Sequence, residues 1–379
     1  MYYTTICAIA KDEGPHRKEW MLYHLAVGFE HIIIYDNNSK VPISQELAEY
    51  VSAGLVTVID WPLTDAQQLS AYVDCLKAVR ESTFWLAYID IDEFIVPMQH
   101  CDVRDLLDDY RRFGGLGMNW MMFGASGHIS RPQGGMMENY TGALGLVANI
   151  KSIVQPRAVV RPASVHHCLF REGQYCVNED GVVIHSFCSF PVGRKIRINH
   201  YYYRSQQDFE EKIARGVACK LKSGADRDMS LFYDHLALPE TKDTAIQAWL
   251  PLVRKFASLP ATALAQVVTE AVNRELAAGI ADISAHLGRG DITRARHELT
   301  LLSRHQRSPH LAIVEASLAF WEDNEALGLD ILSRALLEYA DDRQAAAQLF
   351  EEIARHYERA GQGETASLVR EFGCSQPEA

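Results

Sequence analysis

The sequence predicts an α/β fold with a mainly parallel sheet, followed by an all-α C-terminal region. Three observations lead there. Apolar, strand-like runs alternate with helix-like segments from the N-terminus onward; those runs end in short polar or acidic turns; and beyond about Pro239 the composition shifts to Ala, Leu, Glu and Arg at helical spacing.

Tyr3 to Ala10 reads as a first strand, and Lys11-Asp-Glu-Gly-Pro15 as a turn into a helix with Pro15 in its first turn. Trp20, Tyr23, His24 and Val27 then recur at helical spacing, with Gly28 placed to cap the C-terminus. His31 to Tyr35 is a second buried strand, closed by Asp36-Asn37-Asn38-Ser39, whose short polar side chains suit a tight turn. Leu55 to Ile59 is a third, closed by Asp60-Trp61-Pro62. Thr64 and Gln67 have capping-box spacing, and Leu69, Tyr72, Val73 and Leu76 mark the inner face of a helix running to about Arg80.

The fourth strand is Trp85 to Pro97, interrupted by Asp90-Ile-Asp-Glu93. Alternation along a strand puts Asp90 and Asp92 on one side and Ile91 on the other. Two carboxylates side by side repel unless a cation or proton lies between them, and a hard divalent ion suits oxygen ligands; an acidic turn with no ligand is the plainer alternative. In parallel sheets ligands sit beyond the carboxyl ends of the strands, so Lys11, Glu13, Asp36, Asn37, Asp60, Trp61, Asp90 and Asp92 are expected to line one crevice.

From Gly114 to about Arg204 the pattern is more broken, with strands expected at Met118 to Phe123, Gly181 to Phe187 and Lys195 to Tyr203. Loops rich in Gly, Pro, His and Arg lie between them, a composition that suits a substrate-facing surface. In the C-terminal region the turns Gly290-Asp291, Asp323-Asn324 and Gly361-Gln362 recur at intervals near those of paired-helix repeats. That spacing resembles a tetratricopeptide-like solenoid, with a plain helical bundle as the alternative. The expected division is residues 1–238 for the α/β domain and 239–379 for a helical, non-catalytic domain.

Composition narrows the function. With 379 residues, the chain exceeds what one core usually holds. A net charge of −12 argues against nucleic acid as the main partner. No apolar run approaches the roughly 18 residues of a membrane span, and the N-terminus has neither the basic start nor the cleavage site of a signal peptide. The eight cysteines include no C-x-x-C pair, which disfavours a zinc ribbon and suits reduced thiols in a cytoplasmic protein.

Set in order, further segments make a specific pattern. Ala10 to Glu13, Glu19-Trp20, Tyr23-His24, Gly28 and Ile34 to Ser39 open it; Asp60-Trp61-Pro62, Gln68, Ala71-Tyr72, Cys75 and Tyr88 to Phe94 continue it. Trp120, Phe123-Gly124, Ser126-Gly127-His128, Lys151, Pro156, Asn199 to Tyr202, Ser205, Phe209, Lys212 and Arg215-Gly216 complete it. Over roughly residues 1 to 220 this resembles glycosyltransferase family 92 and its bacterial family-2-like relatives. The resemblance implies a GT-A nucleotide-diphospho-sugar transferase fold, a nucleotide-sugar donor, expected to be a UDP-sugar, and Mn²⁺ or Mg²⁺. It does not reach the C-terminal third.

That resemblance gives the residues roles. Asp90 and Asp92 hold the metal, with His200 as third ligand and His166, His167 and His185 as competitors for that place. Lys11, Glu13, Asp36, Asn37 and Gln68 belong to the donor pocket, with Asp74 on the same helix as Gln68. Lys151, Arg204, Lys212 and Arg215 are candidates for the diphosphate, Arg215 foremost. An inverting displacement also needs a base, for which Glu138 is chosen over Glu93, Glu179 and Asp180; His128 is a candidate for contacting the acceptor.

The function expected is therefore metal-dependent hexose transfer to a glycan or glycolipid acceptor, in the cytoplasm or at the inner face of the membrane by peripheral association. The C-terminal helices are the expected site for a protein partner. One rival is a nucleotidyltransferase, which usually carries a Gly-rich loop after the first strand where Lys11-Asp-Glu-Gly-Pro15 offers one glycine. The other is an interaction protein with a degenerate transferase domain.

Overall fold

Four strand-and-turn units of the N-terminal half form the parallel heart of a larger sheet. They are seen in a computed structural model that describes residues 2–64, 67–216, 228–303, 309–322, 324–338, 343–359 and 361–374. Cys219 and Asp323 lie outside the described residues. The chain divides into two compact units, Tyr2–Glu270 and Ala271–Ala379.

In the first unit the strands are β1 (Tyr2–Ala10), β2 (His31–Asp36), β3 (Val56–Asp60), β4 (Thr83–Tyr88), β5 (Glu93–Pro97), β6 (Gly115–Phe123) and β7 (Gly142–Val154). They are followed by β8 (Val159–Pro162), β9 (Cys168–Phe170), β10 (Cys176–Val177), β11 (Val183–Ile184), β12 (Ile196–His200) and β13 (Thr241–Lys242). Its helices are α1 (Arg17–Ala26), α2 (Ile43–Glu46), α3 (Ala48–Ser52), α4 (Gln67–Val79), α5 (Val103–Asp108), α6 (Met136–Asn139), α7 (Gln206–Ala214), α8 (Met229–Leu236) and α9 (Leu250–Ser258). A long α10 (Ala261–Gly288) runs on into the second unit, which holds α11 (Ile292–Ser303), α12 (Pro309–Trp321), α13 (Glu325–Glu338), α14 (Arg343–Arg359) and α15 (Gly363–Cys374).

The main sheet runs β11-β10-β6-β7-β4-β1-β2-β3. β3, β2, β1 and β4 are mutually parallel, as expected from alternating strands and helices. β7 then joins antiparallel to β4 and β6, and β12 lies parallel to β6 and antiparallel to β5. Every residue of β2 and β4 is buried, which explains their unbroken apolar runs: both faces of a parallel sheet are covered.

Several boundaries differ from the sequence reading. Trp85 to Pro97 is two strands. β4 stops at Tyr88, residues 89–92 turn, and β5 leaves β4 to pair with β12. Glu93 closes this turn by accepting the Asp90 N–H at Oε2 (3.0 Å) and donating its own N–H to the Asp90 carbonyl (3.1 Å). The two aspartates are thus brought together by a turn and not by strand alternation. The 13-residue β7 was hidden by its buried polar residues, Lys151 and Ser152, and by two glycines. The strand expected at Gly181 to Phe187 shrinks to Val183–Ile184, and that at Lys195 to Tyr203 to Ile196–His200. The buried face of α4 is Gln68, Ala71, Tyr72, Cys75, Leu76 and Val79, one position round from the expected stripe.

The boundary expected at 238/239 also moves. Helical composition begins there, yet the apolar face of this stretch completes the first unit: Ile246, Val253, Phe256, Ala261 and Leu264 join the same core as Trp20, Tyr23 and Phe94. Trp249 meets Tyr23 edge-on (6.3 Å), and Arg197 pairs with Asp243 (2.7 Å). In the second unit Ile283, Ala295, Leu299, Leu311, Val314 and Leu318 make one cluster, and Ala316, Leu332, Ala335 and Leu349 another.

Gly28 ends α1 as expected, at φ +107°, and a Cβ there would meet Asp102 Oδ1 at 2.2 Å. Asp102 caps α5 and pairs with Arg104 (2.6 Å), so it cannot simply withdraw. Gly28→Ala is expected to cost about 1–3 kcal/mol, read as a lower midpoint in urea unfolding; an unchanged midpoint would contradict this.

Candidate functional site

Beyond the carboxyl ends of β1, β2 and β4 lies a cavity of about 360 Å³. The loop after β1 contributes Lys11 and Glu13, the end of β2 Asn37, and the start of α4 Gln68. The turn after β4 contributes Asp90 and Asp92, and β6 contributes Trp120. His166, His200, Tyr202, Lys212 and Arg215 close the remainder. Of the residues expected at the site, Lys11, Glu13, Asn37, Gln68, Asp90, Asp92, His200 and Arg215 line this one opening.

Asp90 and Asp92 each face a lysine. Lys151 Nζ, from the middle of β7, lies 3.1 Å from Asp90 Oδ1 and 3.6 Å from Glu93 Oε2, with its side chain 1% exposed. Gln68 Nε2 donates to the same Asp90 oxygen, as does the Tyr72 hydroxyl at 3.4 Å, one helical turn along α4. On the other side Lys212 Nζ donates to Asp92 Oδ2 (2.6 Å) and to the Tyr202 carbonyl (3.0 Å), and His200 Nε2 is 3.6 Å from Asp92 Oδ1. Burial alone would push the Asp92 carboxyl up, but Lys212, His200 and Arg204 outweigh it and hold it well below the usual carboxylate range. Burial would discharge Lys151, yet Asp90 and Glu93 keep it charged, while burial raises the carboxyl of Glu93.

Other expected residues take structural places. Asp36 does not line the cavity: its Oδ1 accepts from the Ser39 N–H and its Oδ2 from the Ile43 N–H, both at 2.9 Å, so it closes the turn after β2. Lys151 is likewise no cavity residue and cannot meet a diphosphate there; it supports Asp90 from beneath. Glu138 pairs with Arg254 and is absent from the cavity wall. Of the other base candidates, Glu93 is fully buried, Glu179 accepts backbone N–H groups of Arg194, Lys195 and Ile196, and Asp180 pairs with Arg194. His128 Nε2 lies 3.2 Å from the Asn139 carbonyl, and the Asp74 carboxylate accepts from the Tyr35 hydroxyl (2.8 Å). Arg215 is held by Glu13 (2.7 Å) and by the Asp12 carbonyl (3.0 Å), which ties the end of α7 to the first loop.

The donor set fits a divalent cation in part. The contacts of Asp90 converge on Oδ1, while Asp92 Oδ1 faces an imidazole whose buried Nδ1 has no hydrogen-bond partner among the described residues. Burial lowers the His200 pKa, which favours the neutral, ligating form. Among the described residues, however, no three His, Cys, Asp or Glu side chains form a ready-made metal cage. A cation here would draw its remaining oxygens from water or a bound ligand.

The profile of glycosyltransferase family 92 matches residues 17–226, more than half of the chain. The chain belongs to glycosyltransferase family 92. A family 92 protein of Oryza sativa subsp. japonica is 31% identical over 231 residues, covering 59% of this chain and 37% of that protein. One of Ricinus communis is 31% identical over 221 residues, covering 56% and 38%. The chain thus spans well under half the length of these family 92 relatives. A galactan beta-1,4-galactosyltransferase of Arabidopsis thaliana is 28% identical over 115 residues, 26% of this chain and 22% of that one. Among solved structures, S. aureus TarS 1–349 in complex with UDP-GlcNAc overlaps with a TM-score of 0.34 at 12% identity, covering 97% of this chain and 90% of that one, too loosely to carry weight. The family match begins at the first residue of α1 and takes in the acid turn, β12 and α7, so most of the cavity wall falls inside it.

Sequence reading missed how the site is supported. In the sequence Tyr72 reads as a packing residue and Glu93 as a possible base, whereas both hold Asp90 in place; the i, i+4 spacing of Gln68 and Tyr72 is the available signal. Because the Asp92 carboxyl is held below its unfolded value of about 3.9, its stabilisation is complete above that value and is lost as pH falls through the folded pKa. The stability gap between the wild type and Asp92→Asn, measured by urea unfolding, is therefore expected to shrink from about pH 6 to about pH 3. A gap constant across that range would contradict the pairing.

Proposed function

We propose that the protein transfers a hexose from a nucleotide-diphospho-sugar, a UDP-sugar in the first instance, to a hydroxyl of a glycan or glycolipid. The observation that supports this most is the meeting of an acid pair, Asp90 and Asp92, with the cations Lys212 and Arg215 in one opening at the strand ends. A diphosphate leaving group carries more charge than an acidic chain can bind without local cations.

A divalent ion, Mn²⁺ or Mg²⁺, held by Asp90, Asp92 and His200, would act as a Lewis acid toward the departing diphosphate. The chain's own residues do the rest. Lys212 and Arg215 offer positive charge to the phosphates, and the pairing of Arg215 with Glu13 and Asp12 keeps the first loop and α7 together around them. Asn37 donates both amide hydrogens to the carbonyls of Trp61 and Leu63, so its own carbonyl oxygen is fixed as an acceptor toward the nucleoside. Gln68 and Tyr72 keep Asp90 in its rotamer. Inversion at the anomeric carbon belongs to the same proposal; of the carboxylates, Glu13, Asp90 and Asp92 line the cavity.

Family membership favours this over nucleotidyl transfer, and the first loop, with its single glycine, lacks the Gly-rich composition usual for a nucleotidyltransferase phosphate loop. A glycolipid acceptor would bring the work to a membrane surface; no helix among the described residues is long and apolar enough to cross one.

The test is release of UDP from a panel of UDP-hexoses. Release is expected with Mn²⁺ or Mg²⁺ and to fall by about 10²–10³-fold in Asp92→Asn. Full activity in EDTA would reject the metal, and melting protection by nucleoside triphosphates but not by UDP-sugars would reject sugar transfer.

A further inference from the structure

One wall of the cavity is chemically unlike the rest. It is formed by Trp120 of β6 together with Val165 and His166 from the turn joining β8 to β9. The turn is tightly held: Ser164 Oγ accepts the N–H groups of His166 (3.1 Å) and His167 (3.3 Å), and Ser152 Oγ donates to the His166 carbonyl (3.0 Å). His166 Nδ1 lies 3.0 Å from the Ile150 carbonyl oxygen. A carbonyl can only accept, so Nδ1 carries the hydrogen and Nε2 presents a lone pair. Burial, aided by the Lys151 ammonium, brings the His166 pKa down to about 4, which keeps the ring neutral near pH 7.

Two imidazoles neighbour Trp120, neither stacked on it: His200 is tilted with ring centres 4.5 Å apart, and His166 meets it edge-on at 5.3 Å. Its buried Nε1 has no acceptor among the described residues. An indole face beside a fixed lone pair is a poor surface for an anion, which finds its partners at Lys212 and Arg215. It suits a pyranose, which has an apolar C–H face and a rim of hydroxyl donors. The wall also adjoins the acid pair, because the His200 ring against which Trp120 packs is the one facing Asp92.

We propose that Trp120 and His166 form the subsite for the donor hexose, the indole taking the apolar face of the ring and His166 Nε2 accepting one of its hydroxyls. This rests on the nucleotide-sugar reading and adds to it the residues that select the sugar.

The test is calorimetric titration of the full chain, in Mn²⁺, with UDP and with UDP-galactose, UDP-glucose and UDP-N-acetylglucosamine. Wild type is expected to bind at least one UDP-sugar more tightly than UDP. Trp120→Leu and His166→Phe are each expected to keep the UDP affinity, which also reports folding, and to lose at least about fivefold in affinity for that sugar nucleotide. His166→Gln, which retains an acceptor oxygen, is expected to recover part of the loss. A UDP-sugar preference undiminished in both variants would overturn the proposal, as would equal losses for UDP and UDP-sugar. Wild type binding UDP but no UDP-sugar more tightly would overturn the subsite alone, whereas no binding of UDP at all would overturn the nucleotide-sugar reading beneath it.

Discussion

Two lysine–aspartate contacts set the terms for everything else at this site. Asp90 and Asp92 are brought to the end of the sheet by a turn that Glu93 closes, and each is matched by an ammonium: Lys151 from beneath, Lys212 from α7. For the Lys212–Asp92 pair, buried on both sides, removing one partner leaves the other charge uncompensated, at a cost of about 3–5 kcal/mol; the partly exposed Asp90 costs less to leave unpaired. The acid turn, the central strand β7 and helix α7 are therefore linked in stability although they are far apart in sequence. The two lysines are not equivalent. Lys151 is sealed off and serves to orient; Lys212 borders the cavity, where on the proposed reading a phosphate would compete with Asp92 for it.

The topology explains why such distant residues meet. Parallel order β3-β2-β1-β4 turns the carboxyl ends of the first strands the same way, and the antiparallel entry of β7 then brings Lys151 alongside β4. β12, returning parallel to β6 and antiparallel to β5, sets His200 opposite Glu93, next to the acid turn. Glu13 and Arg215 close the ring by joining the first loop to the last helix of the site. Each contact joins elements remote in sequence.

Much of this was legible in the chain, for definite reasons. Period and punctuation marked β1 to β4 and α1, because buried parallel strands are uniformly apolar and Gly28 ends its helix at positive φ. The acid motif and the crevice at the strand ends followed from strand order. What stayed hidden was whatever depended on partners. β7 looks irregular because its buried lysine is satisfied only by carboxylates on other elements. Asp36 read equally well as a ligand or a turn residue, and only the positions of the Ser39 and Ile43 amides decide between them. Glu138 was chosen by order along the chain, which says nothing of the arginine that occupies it. The helical composition from Pro239 onward suggested a boundary there because composition cannot show that the apolar face of α9 covers α1.

If the protein supplies an incomplete set of metal ligands, already engaged by lysines, then cation and diphosphate should bind as one unit. Mn²⁺ binding followed by electron paramagnetic resonance, with and without UDP, measures this directly. The arrangement predicts weak binding of Mn²⁺ alone, marked tightening by UDP, and tightening of UDP by Mn²⁺ by the same factor. Mn²⁺ bound equally well whether or not UDP is present, or not bound in either case, would contradict it.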